Sequence, residues 1–173
     1  MENRYRVCSA AHREQKFVAI AITALLILHG LVGVALLGAI THQLVSMYRR
    51  RTARSGSFID RYTGVNQQVF VIAVVFLFIA QVLLGAIIYP TYRLNVRIPF
   101  EEMYMFKAVG VFELKEHFAG IAIGLLPLYF WLWRPENADT YRRDRIAITS
   151  ILAFIVWWDF LIGHILNNIR GLT

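Results

Sequence analysis

Four of the five histidines, His29, His42, His117 and His164, fall inside long apolar runs. An ionisable side chain in such a run is costly and implies a function. Imidazole can ligate a metal or carry a proton. His117 lies near the start of the third run and His164 near the end of the fourth. Consecutive helices run in opposite directions, so the two rings should reach similar depth on neighbouring helices. His117, Gly120 and Gly124 share a stripe at i, i+3, i+7, and His29, Gly30 and Gly33 crowd together on the first run. Glycine removes bulk and lets a backbone or a flat macrocycle approach, although helix packing alone is its commoner use in membranes. The expectation is a bis-histidine haem b site, with His117 and His164 as the iron ligands and His29, Gly120 and Gly124 lining it.

The other polar residues divide by position. Glu113 and Glu116 flank Lys115 at the mouth of the third run, and Glu113 can share a face with His117 four residues on. Asp159 sits within the fourth run beside Trp157 and Trp158, where it could orient a histidine or relay protons. Gln81 is placed to hydrogen-bond between helices. His42, beside Thr41 and Gln43, reads as interfacial, and His12, in the polar N-terminal arm, as solvated. His29 and His42 are thirteen positions apart, which is about 220° of rotation, so they do not share a face. A carboxylate–histidine metal centre competes with haem, but the paired Glu-x-x-His motifs of di-iron bundles are missing.

These residues need four helices to position them. The chain has 173 residues, 58% hydrophobic and 17% charged, too apolar for a soluble domain of that size. A span needs about 20 apolar residues. Runs at about 17–48, 68–89, 109–133 and 146–167 qualify, giving a single all-α domain, an integral membrane four-helix bundle. Arg49, Arg50 and Arg51 close the first run, Pro90 the second, Arg134 and Pro135 the third, and Asn167, Asn168 and Arg170 the fourth. Tyr48, Tyr89, Trp131 and Trp133 fit an interfacial aromatic belt. The first run lacks a small-residue cleavage site and reads as a retained helix. The net charge of +7 sits at the ends of the runs, where head groups and topology explain it and nucleic acid is not required. One cysteine, Cys8, excludes a disulfide framework. The tight Arg49–Arg54 cluster favours its side as cytoplasmic and the termini as outside, against the basic arm of Arg4, Arg6, Arg13 and Lys16.

The stretch Lys115-Glu116-His117-Phe118-Ala119-Gly120, continuing to Trp131-Leu132-Trp133-Arg134, resembles a haem-bearing helix of bacterial four-helix b-type cytochromes of the b561 kind. Leu28-His29-Gly30 is loosely similar. The resemblance implies electron transfer through haem b in a bacterial inner membrane, exchanging electrons with quinone or with a membrane or periplasmic redox subunit of the respiratory chain. It would make the chain a non-catalytic subunit of an oxidoreductase. The competing expectation is a structural membrane subunit of a larger complex without a cofactor, because nucleophile triads, phosphate loops and nucleotide motifs are missing. A proton-coupled transporter using Asp159 and the histidines is a third.

Overall fold

The computed structural model describes the backbone of residues 2–48, 67–137 and 140–171, and side chains from residue 16 onward within those ranges, up to 169. The Arg49–Arg54 cluster and Arg61 lie outside the described residues. The side chains of the N-terminal arm, including Cys8 and His12, and of Arg170 lie outside the described side chains.

Helices make up the described chain: α1 (Glu2–Tyr48), α2 (Gln67–Tyr92), α3 (Ile98–Glu102), α4 (Phe106–Leu132) and α5 (Arg142–Gly171). A π-helical turn, Arg93–Arg97, joins α2 to α3, and a 3₁₀ turn, Pro135–Asn137, follows α4. Helix α2 lacks a polar outer face. Along α2, Val71, Val74 and Phe78 point into the core, while outward-facing Ile72 and Phe76 are 62% and 69% exposed. A water-soluble helix would carry polar residues on that outer stripe. Three segments are long and apolar enough to cross a membrane: Lys16–Tyr48, Gln67–Glu102 and Arg142–Ile169. The expected fourth, α4, has the length, with 27 residues, but its first turns carry Lys107, Glu113, Lys115, Glu116 and His117, which dilute its apolar character.

Several expected boundaries move. Helix α1 begins well before residue 17, and its 47 residues reach about 70 Å, more than twice a hydrocarbon core. Pro90 does not end α2; the helix runs through it to Tyr92, as membrane helices allow when neighbouring groups take over the freed carbonyl. The 91–108 connection is mostly helical instead of a loop.

The main core joins Leu36 and Ile40 of α1, Val74 and Phe78 of α2, Ala122, Leu126 and Tyr129 of α4, and Leu152, Ile155 and Val156 of α5. A second cluster, Val96, Phe100, Val109 and Leu166, pins the π-turn and α3 across the ends of α4 and α5. Tyr92 stacks on Phe112 at 3.8 Å beside it. Helix α1 packs on α2 and α5, and α4 packs on α5.

Candidate functional site

Register along α4 decides which of its polar residues turn inward. Ala122, Leu126, Tyr129 and Trp133 form its buried stripe. Seven residues before Ala122, on the same stripe, comes Lys115. Its side chain runs inward against α5: a Cβ placed on Gly163 would lie 3.8 Å from Lys115 Cε and 4.0 Å from Nζ. A side chain at that position would occupy the space the lysine uses. Asp159 lies four residues before Gly163, on the same face of α5.

His29 and Gln81 complete the group from the other pair of helices. Gln81 Nε2 donates to His29 Nε2 at 3.0 Å, so the imidazole is neutral with its proton on Nδ1. Small residues permit this approach. A Cβ on Gly85 would lie 3.4 Å from His29 Cε1, and one on Gly33 would lie 3.2 Å from Gln81 Nε2. His29 Nδ1, Gln81 Oε1, Asp159 Oδ1 and Trp158 Nε1 are buried atoms without a protein partner among the described residues. Lys115 and Asp159 thus share the α4–α5 contact, half-buried, and the Gly33 position that admits Gln81 also lies against Phe160, next to Asp159, at 3.8 Å.

The expected haem ligands are arranged differently. The contact of Lys115 with Gly163 brings His117 and His164 to a similar level, as their opposed helices require. The faces are wrong, however. His117 lies about 200° round the helix from Lys115 and about 100° from Phe118. Both of those residues address α5, Phe118 through Trp158 at 6.1 Å. His117 is therefore turned away from α5, exposed, and its Nδ1 donates to the Glu113 backbone carbonyl at 2.7 Å. His164 is exposed as well, and no hydrogen bond or ring contact joins the two among the described residues. Gly120 and Gly124 face open space, with nothing within 4 Å of an added Cβ. These residues do not fit a macrocycle clamped between His117 and His164 of one chain. The described residues also contain no group of three or more histidine, cysteine or carboxylate ligands suited to a metal ion.

Other assignments shift too. Glu113 directs its carboxylate to Arg97 at 2.8 Å, while Arg97 Nε holds Glu101 at 2.8 Å. His42 is 1% exposed and stacks on Phe70 at 3.7 Å, inside the bundle and not at its rim. It belongs to a buried polar layer at the opposite end. There Gln43 donates to Gln67 O at 3.0 Å, and Trp133 Nε1 donates to Thr149 Oγ1 at 3.1 Å. Trp133 is thus an interior donor and not a belt residue, whereas Trp131, 40% exposed, lies on the outside.

No protein-family model, curated protein or solved structure matches the chain.

Proposed function

We propose that the chain is an integral membrane protein crossing the bilayer four times, and that it serves as a subunit of a larger membrane assembly. The outer face of α4 carries this reading. There Glu116, His117, Gly120 and Gly124 are exposed on a helix packed along its other side against α5. Lipid offers no partner to a carboxylate or an imidazole, so such a face is covered by another protein helix, and the two glycines let that helix come close. The test is the mass of the particle extracted in mild detergent, by native mass spectrometry. The wild type should exceed one chain, and Gly120→Leu with Gly124→Leu should release it as a folded single chain. A wild-type particle of one chain only, in every mild detergent and in lipid discs, would overturn the reading.

Electron transfer through haem b is the second reading, and the shared level of His117 and His164 is its support. Since His117 is turned away from α5, its iron's second ligand would come from another chain. A reduced α-band in the purified assembly that vanishes in His117→Ala supports this reading; a spectrum without the band removes it.

A further inference from the structure

We propose that Lys115, Asp159 and His29 form a proton-binding site inside the bundle, filled by a few ordered waters. Neither the subunit reading nor the haem reading requires such a site.

The case begins with the cost of the arrangement. An ammonium near a bundle's end can snorkel to the head groups along its flexible stem. Lys115 instead turns inward, over the smallest possible residue on α5, Gly163. Asp159 lies one helical turn before Gly163 on the same face of α5, so ammonium and carboxyl share this half-buried contact; no direct ion pair joins them among the described residues, which leaves the space between them to water.

The unpaired atoms are what turn this contact into a binding site. His29 Nδ1–H lacks an acceptor, while Gln81 Oε1 and Asp159 Oδ1 lack donors. Buried polar atoms are rarely left in that state, and a buried water needs two to four such partners. Waters linking a donor on α1, an acceptor on α2 and an acceptor on α5 would satisfy all three and connect His29 to Asp159 past the lysine. The proton step needs no other reactant: a hydronium arriving from the 91–108 side gives up one O–H bond, an O–H bond forms on Asp159, and Lys115 keeps its charge throughout.

The titratable groups facing this site from each packed element are few. They are His29 from α1 and Asp159 from α5; Glu116 of α4 lies next to Lys115 but is exposed on the outer face, and Tyr92 at the end of α2, Arg97 of the π-turn and Glu113 of α4 form a separate group nearer the 91–108 segment. Those of the π-turn and the start of α4 lie on the side of the 91–108 segment, so that face supplies the proton. At the other end the bundle is closed by the apolar layer of Leu36, Ile40, Val74, Phe78, Ala122 and Leu126.

The test is pH-difference infrared spectroscopy of the full chain in lipid discs. One titrating carboxyl band should vanish in Asp159→Asn. In Lys115→Met, of similar length but without charge, the midpoint of that band should move to higher pH by about tenfold in proton concentration or more, the size expected for a neighbouring unit charge. Lys115→Arg should stay within about threefold of the wild type, which separates loss of charge from loss of fold. A carboxyl band that survives Asp159→Asn unchanged, or a midpoint that Lys115→Met does not move, would overturn the proposal. Both outcomes are independent of the particle's mass and of its visible spectrum.

Discussion

The hydrogen bond between Gln81 and His29 links α1 to α2 through two side chains that lipid could not satisfy separately. Replacing Gln81 by Leu leaves the imidazole without its donor, while the rest of the helix contact stays apolar. Interhelical hydrogen bonds in membranes contribute about 1 kcal/mol, because the unfolded helices find other partners in the bilayer. Gln81→Leu should therefore lower stability by about that amount in reversible unfolding in mixed micelles, with His29→Leu adding little on top. Additive losses in the double variant would show that the two side chains act separately. Gln81 as an interhelical donor was legible in the sequence, since an amide in an apolar run has few other uses. The inward turn of Lys115 was legible only after the fact. It lies seven residues before Ala122, but the flanking Glu113 and Glu116 make the segment read as a solvated mouth. The outward facing of His117 escapes a sequence reading for the same reason. Depth follows from helix direction alone, whereas rotation requires knowing which stripe is buried.

The segment between α2 and α4 shows what hydropathy misses at the scale of an element. Residues 93–102 mix both charge signs and contain Pro99, so they read as a connection. They fold because Val96 and Phe100 find an apolar seat on Val109 and Leu166, and because Arg97 ties Glu101 to Glu113. Those ion pairs are partly exposed, Arg97 at 29% and Glu113 at 44%, so each contributes little to global stability. Arg97→Ala should leave global stability nearly unchanged, yet speed amide exchange across residues 93–105, since the apolar seat alone must then hold the segment. Unchanged exchange would mean that Phe100 suffices as the anchor. The turn into α4 is made by Tyr104, whose φ of 59° is unfavourable for a residue with a side chain. Its ring is 80% exposed and makes only an edge contact with Phe106, so little is lost with it. Tyr104→Gly should raise stability by about 1 kcal/mol, measured by the same unfolding assay. A loss would show that the ring contributes a contact beyond Phe106.

Within the molecule as a whole, α4 stands apart from the other three long helices. Length and apolar character mark three segments as able to cross, and α4 is not among them. The second half of α4 is as apolar as the others, and Ala122, Leu126, Tyr129 and Leu132 bury it against the same core as α1, α2 and α5. At the start of α4, Val109 packs on Val96 and Phe100, Glu113 reaches Arg97, and Lys115 turns towards Gly163 of α5. A helix of 27 residues reaches about 40 Å, enough to span the hydrocarbon core while leaving residues 106–112 at the head groups. The partners of Lys115 and Gly163 run antiparallel along the α4–α5 contact, so if α5 crosses, α4 crosses beside it. Four crossings place the segment 91–108 and the C-terminus on one side and residues 134–141 on the other; three crossings, with α4 left at the surface, would put the C-terminus and the 91–108 segment on opposite sides. Reporter fusions after residues 104, 137 and 173, active on one side of the membrane only, distinguish the two. The expected pattern is that the fusions at 104 and 173 agree and the one at 137 differs from both, with residue 137 on the cytoplasmic side alongside the Arg49–Arg54 cluster. Opposite signals at 104 and 173 would put the charged half of α4 in the head groups, and Lys115 would then meet Asp159 at a wet surface with no reason for the carboxyl to hold a proton.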